Sequence, residues 1–350
     1  MDEVLAYEDR LFVTPKEPYQ WLLSHVKRWK SEQSTSLAWL VRYRGLAREA
    51  SLAPGDQVLG LAGEHGIGKT WLLRYLAEDE PRLASQAVYL DLEARGRFSC
   101  PEDYVRAVEV QIEQQCLEER VALLLDAVPP QMDGHLRALE ETILRPCLQH
   151  RSALVIMALV RPSQLCWRAP ALRGGHLLQL GPFDGVAISE QLQRLKKAGY
   201  VQVDVEAEAL QASSGGLPLL TYLVATRPLA EAAQHLLEYW FAPLPSQEGA
   251  YARNYLEAVC MLDSLEQASI QRALEIYYHY NPGAAGFPAH AGGVRNVLRK
   301  HWLARPASHA PGRLVLVEGV QRAAREVLKS RDQEMYQVLG MAAEGLGRSR

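Results

Sequence analysis

The sequence predicts an α/β protein: a five-stranded parallel sheet, then a helical lid subdomain, then a C-terminal domain of three helices and a two-stranded wing. Three observations carry this. Apolar runs alternate with helical periodicity between residues 58 and 180. Four of the five runs are hydrophobic almost without interruption, the pattern of parallel strands covered on both faces by helices. A glycine-rich turn stands between the first run and a helical stretch, as at a strand-to-helix junction.

The strands are read at Val58-Leu59-Gly60-Leu61-Ala62, Ala87-Val88-Tyr89-Leu90, Val121-Ala122-Leu123-Leu124-Leu125, Ala153-Leu154-Val155-Ile156-Met157 and His176-Leu177-Leu178-Gln179-Leu180. Residues 1–50 form a helical extension carrying Trp21, Trp29 and Trp39, and 51–182 form the α/β domain. After Pro182 the strands stop, so 183–242 read as a helical lid, broken at Ser213-Ser214-Gly215-Gly216. Pro243 and Pro245 forbid a continuous helix and set a boundary. Helical patterns near 250–263, 266–280 and 290–302, a hairpin around Ala310-Pro311-Gly312 and a helix from about Gln321 make a winged-helix pattern over 246–330, with a last helix over 331–350.

Composition narrows the class further. The chain has 350 residues, 48% hydrophobic and 23% charged, enough to bury a core without disulfides or structural metal. Its five cysteines stand apart with no Cys-x-x-Cys pair, which argues against a zinc site and for a reducing compartment. The first ten residues lack a basic segment followed by an apolar run, and no apolar stretch reaches the roughly 18–20 residues that span a bilayer. A cytoplasmic protein without membrane partners is expected.

The chemistry is expected at Gly63, Glu64, His65, Gly66, Ile67, Gly68, Lys69 and Thr70, which fit G-x-x-x-x-G-K-[ST], with Trp71 opening the helix that follows. Glycines there let successive N–H groups turn inward, and the helix start adds the positive end of its dipole, so the loop holds phosphates. Lys69 reaches the β- and γ-phosphates; the Thr70 hydroxyl ligates Mg²⁺. Asp126, after Leu123-Leu124-Leu125, is the carboxylate that such a cation needs. The next residue, Ala127, stands where many such ATPases place the acid that polarises the attacking water, and alanine cannot do so. Asp91 and Glu93, at the end of the second strand, are the nearest alternatives, though a cap or salt bridge suits them better. Arg161, after the fourth strand, faces the crevice at the C-terminal sheet edge, where it either senses a γ-phosphate or pairs with a surface acid.

In the order Gly63 to Thr70, Asp126, Arg161 and Gly216-Leu217-Pro218, followed by a winged helix, the chain resembles the STAND class of P-loop NTPases, relatives of AAA+ ATPases. The resemblance spans about 57–330. It implies ATP or ADP with Mg²⁺ as ligands, Lys69, Asp126 and Arg161 in the catalytic roles, and Gly216 and Pro218 against the nucleotide base. It also implies a switch: closed with ADP, opening with ATP to oligomerise and to act on an effector protein in trans. Val317-Glu318-Gly319-Val320 replaces the His-Asp pair that such proteins often carry there, and a glutamate would repel phosphate. Slow hydrolysis is the expectation.

A second reading competes. Between His290 and Arg331 stand nine basic residues (Arg295, Arg299, Lys300, Arg305, Arg313, Arg322, Arg325, Lys329, Arg331) against Glu318 and Glu326, a patch suited to DNA phosphates. Yet the net charge of the whole chain is −3, and arginines are frequent throughout it. Trp21 and Trp29, eight apart, suit either a docking surface or packing under the α/β domain.

Overall fold

The computed structural model describes residues 13–31, 57–64, 66–115, 121–129, 131–149, 153–159, 166–201, 205–242, 244, 246–284, 290–301, 303–307 and 310–348. His65, Trp39 and Arg161 lie outside them. The chain divides into two compact units, Met1–Gly181 and Pro182–Arg350.

In the first unit the elements run α1 (Lys16–Ser31), β1 (Val58–Ala62), α2 (Lys69–Glu78), β2 (Ala87–Asp91), α3 (Pro101–Gln115), β3 (Val121–Val128), α4 (Gly134–Leu139), α5 (Arg145–Gln149), β4 (Ala153–Leu159), α6 (Pro170–Arg173) and β5 (His176–Gln179). The strands form one parallel sheet in the order β2-β3-β4-β1-β5. Each expected strand is present; the long apolar runs of β1 and β4 need two covered faces, and a parallel sheet supplies them.

Register explains which residue faces which helix. Val88 pairs with Leu123 and Leu90 with Leu125, and these pack with Val155 and Met157 against Tyr104 and Val108 of α3 and Leu136 and Leu139 of α4. Alternation sends Tyr89, Leu124 and Asp126 to the opposite face. There α2 lies, with the Arg74 guanidinium 4.2 Å from the centre of the Tyr89 ring. Every residue of β1 and β4 is buried, whereas β5, at the edge, is mostly exposed. This is the strand whose sequence is least continuously apolar.

Between α4 and α5 a π-turn spans Glu140–Leu144. Glu140 is buried and accepts the Arg168 N–H at 3.0 Å and the Ala169 N–H, which fixes the approach to α6. Helix α1 settles the two readings of its tryptophans separately. Trp29 is core, 2% exposed. Trp21 is half-buried and packs on His25 and His176, with ring centres 3.9 and 6.4 Å away. Eight residues apart, the two rings lie near one face of α1, Trp29 within the core and Trp21 at its margin.

The second unit contains α7 (Gly185–Lys197), α8 (Ala207–Ser214), α9 (Pro218–Thr226), α10 (Leu229–Phe241), α11 (Ser246–Val259), α12 (Gln267–Tyr280), α13 (Ala291–Lys300), β6 (Ala304–Ala307), β7 (Ala310–Leu316), α14 (Glu318–Arg331) and α15 (Gln333–Arg348). Strands β6 and β7 are antiparallel, with Ala304 opposite Leu316 and Pro306 opposite Leu314. The hairpin exists, but its tip is not at Pro311-Gly312. Those residues lie inside β7, since a two-stranded ribbon has edges where a missing N–H costs nothing. Helix α14 begins at Glu318, earlier than the expected Gln321, after an extended Val317. Buried Glu257 of α11 accepts two bonds from Arg331, at 2.9 and 2.7 Å, and one from the Tyr277 hydroxyl at 2.9 Å, tying α11, α12 and α14 together. Among the described residues no helix is long and apolar enough to cross a membrane.

Candidate phosphate-binding site

The loop between β1 and α2 takes the conformation that its glycines anticipate. Gly66 and Gly68 have φ of 81° and 94°, left-handed values that residues with a Cβ adopt at a cost of about 1–2 kcal/mol. Gly68 is the N-cap of α2 and supplies no side-chain cap, and a Cβ built on it meets nothing within 4 Å. The first turn of α2 thus begins with N–H groups that have no intrahelical partner.

Lys69 folds back along this loop. Its Nζ donates to the carbonyls of Gly63 at 2.7 Å and Glu64 at 3.0 Å. Burial pulls its pKa down to about 8, against the opposing charges of Asp126 and Glu64. Thr70 follows in the first turn, exposed.

Asp126 does not terminate its strand, as its position after the leucines suggests, because β3 continues to Val128. The row Leu125, Met157, Gly60 runs across β3, β4 and β1. Asp126 is one residue beyond that row, and Gly63 three beyond it, so both stand at the C-terminal edge of the sheet, where parallel α/β proteins bind ligands. Asp126 is 6% exposed and engaged through both oxygens: Oδ2 accepts the Tyr89 hydroxyl at 2.6 Å and Oδ1 accepts the Ala127 N–H at 2.8 Å.

Ala127 is the single non-glycine with positive φ, 52°, among the described residues. The register shifts there, with Leu125 opposite Met157 and Val128 opposite Leu159, leaving an extra residue on β3. Such bulges re-aim side chains beside functional sites. Asp91, the register partner of Asp126, accepts the Glu93 N–H at 2.9 Å, the capping role expected of it. Burial, then the charges of Asp91 and Asp126, push the Glu93 carboxyl above its ordinary value, with Arg95 opposing. Lys69, Thr70, Asp126, Asp91 and Glu93 therefore gather at one sheet edge. Tyr89 belongs with them and was not anticipated. Its signal in the sequence is an aromatic phenol in a strand of aliphatic residues, two positions before Asp91.

The donor set fits a nucleotide and a hard cation. A glycine-rich loop at a helix start with one lysine suits phosphates, and a hydroxyl with a carboxylate are oxygen ligands of the Mg²⁺ type.

Gly216 and Pro218 lie in the second unit, both buried. Gly216 has φ of 76°, its carbonyl accepts the Phe183 N–H at 2.8 Å, and a Cβ on it would come within 2.4 Å of the Phe183 carbonyl oxygen. Pro218 opens α9, and its carbonyl accepts from the Gln191 side chain at 3.2 Å. The side chain of Leu217 packs against Gly319 of α14.

Much of the basic run near the C-terminus is engaged within the unit. Lys300 pairs with Glu248 at 2.6 Å, Arg322 with Glu318 at 2.6 Å and Arg331 with Glu257, while Arg313 donates to Ser264 at 3.0 Å and Arg325 to the Cys260 carbonyl at 2.8 Å.

No known family profile matches the sequence, and no curated protein matches it. Among solved structures it is similar to the RuvB Holliday junction branch migration motor of Thermotoga maritima, with 17% identity over 90% of this chain and 96% of that one and a TM-score of 0.42. A variant of the same RuvB matches with 18% identity over 82% and 91% of the two chains and a TM-score of 0.41. The chain's own sheet order and site geometry define it as an α/β protein with a parallel five-stranded sheet.

Proposed function

We propose that this chain binds ATP and ADP with Mg²⁺ at residues 63–70 and acts as a slow ATPase switch of the STAND kind. The observation that supports this best is the convergence of the left-handed Gly66-Gly68 loop, Lys69 and Asp126 at one edge of a parallel sheet. Main-chain N–H groups of the loop and the first turn of α2 hold the phosphates, and Lys69 exchanges its carbonyl partners for the β- and γ-oxygens. A cation held by Thr70 and Asp126 neutralises phosphate charge when bound. Hydrolysis is slow because Ala127 offers no base, and Asp91 and Glu93, at the end of β2, are the alternatives at the same sheet edge. Arg161 distinguishes ATP from ADP in this reading. The resemblance assigns Gly216 and Pro218 to the nucleotide base, and their loop is tied to Phe183 within the second unit. The output is an effector protein in trans or nucleotide-dependent self-association.

Thermal unfolding with and without nucleotide tests the site. Binding to the native state alone adds about 2.7 kcal/mol at a hundredfold excess over Kd. Lys69→Ala is expected to lose that stabilisation. Equal responses of wild type and variant would place binding elsewhere.

DNA binding through the winged-helix pattern is the weaker reading, because Lys300, Arg313, Arg322, Arg325 and Arg331 already have partners in the unit.

A further inference from the structure

We infer that Tyr89 is a positioning residue for the Asp126 carboxylate, held in place by Arg74. The inference rests on the nucleotide reading above and assigns two further residues to its cation site. In the parallel register Tyr89 pairs with Leu124 and Asp91 with Asp126, so Tyr89 starts one pleat behind the carboxylate on the same face of the sheet. A phenol is long enough to span that offset, and its hydroxyl donates to Oδ2 at 2.6 Å.

Tyr89 is also held at its ring and at its main chain. The Arg74 guanidinium of α2 lies 4.2 Å from its centre, and Arg74 also reaches Glu78 at 3.5 Å. From α3, the Gln111 side-chain amide donates to the Tyr89 carbonyl at 2.9 Å. With the Ala127 N–H on Oδ1 at 2.8 Å, the carboxylate has one fixed donor on each oxygen, and its plane cannot rotate without breaking one of them. Phenylalanine would fill the same space under Arg74. The hydroxyl adds the hold on Asp126 and an interaction with the Arg74 guanidinium. The chain Arg74, Tyr89, Asp126 thus links the helix that carries Lys69 and Thr70 to the carboxylate on β3.

The prediction separates cation from nucleotide. Partners that orient a metal ligand typically account for about 10–100-fold in metal affinity. Titrating the full-length protein with the fluorescent nucleotide mant-ADP, in Mg²⁺ and in EDTA, gives the gain in affinity due to the cation. Tyr89→Phe is expected to keep the affinity in EDTA and to lose about tenfold or more of the Mg²⁺ gain. Arg74→Met, which leaves the hydroxyl in place but frees the ring, should lose less, in the same direction. Circular dichroism confirms that each variant is folded, and the exposed setting of Arg74 keeps the test open if Tyr89→Phe unfolds. A full Mg²⁺ gain in the folded variants overturns the inference, as does an equal fall of affinity in Mg²⁺ and EDTA, which marks a purely structural role. Wild-type protein that binds mant-ADP without a Mg²⁺ gain overturns the cation site as a whole, and wild-type protein that binds no mant-ADP overturns the nucleotide reading itself.

Discussion

Ala127 holds a backbone conformation that nothing in its side chain favours. Its φ of 52° costs about 1–2 kcal/mol relative to glycine, while glycine loses about 0.5–1 kcal/mol more chain entropy on folding. Ala127→Gly is therefore expected to stabilise the first unit by up to about 1 kcal/mol in urea unfolding, and Ala127→Val to destabilise it. Ala127→Glu addresses chemistry instead. A positioned base contributes about 10²–10⁴-fold, so phosphate release from ATP should rise if the acid is the missing part. An unchanged rate, with Mg²⁺-ATP bound, would mean that the bulge at 127 aims the new side chain away from the water.

At the scale of elements, the link between β2 and α4 shows how charge fixes a helix start. Asp133 caps α4 by accepting the Leu136 N–H at 2.9 Å, and Arg95, from the turn after β2, donates to its other oxygen at 2.7 Å. Burial pushes the Asp133 carboxyl up, but the Leu136 N–H and Arg95 outweigh it, and its pKa lies below the ordinary value. A carboxyl depressed in the folded state stabilises above its unfolded pKa of about 3.9 and loses that contribution as pH falls through the folded value. Asparagine keeps the cap and removes the charge. With the carboxylate 41% exposed, Asp133→Asn should cost no more than about 1 kcal/mol at pH 7, and its midpoint should converge on wild type as the pH drops through the folded value. A gap that persists at low pH would assign the effect to the cap instead.

Over the whole molecule, the nucleotide reading predicts a change in assembly. Light scattering on a sizing column, with a non-hydrolysable ATP analogue and with ADP, should give a larger species only with the analogue, and Arg161→Ala should erase the difference. A ligand shifts such an equilibrium only by binding one state better, and the γ-phosphate is the sole chemical difference between the two nucleotides. Identical profiles with both nucleotides bound would leave a constitutive scaffold. What the sequence discloses follows the range of the interactions. The five strands and the Gly63 to Thr70 loop are written in contiguous residues, so local pattern was enough. Tyr89 joins the site only because β2 and β3 pair in one register, which no local pattern encodes. The left-handed Ala127 is equally silent, since its conformation is imposed by the bulge. Pro311-Gly312 misleads because proline marks turns and ribbon edges alike.

The tie between Phe183 and Gly216 bears on how the second unit breathes. The Phe183 amide is sealed by the Gly216 carbonyl at 2.8 Å, and Gly216 sits so close to the Phe183 carbonyl that no larger residue fits. Exchange of an amide hydrogen with solvent requires its bond to open, and the free energy of that opening is local to the cooperative segment that must move. Here the segment is the loop joining α8 and α9, itself pinned by Ser214, whose hydroxyl oxygen accepts the Gly216 N–H at 3.1 Å and lies 2.8 Å from the Thr221 hydroxyl. An amide at the very entrance of the unit thus keeps time with a loop far along the chain, and its exchange rate is a clock for the opening of the helical layer rather than for fraying of the residues beside it.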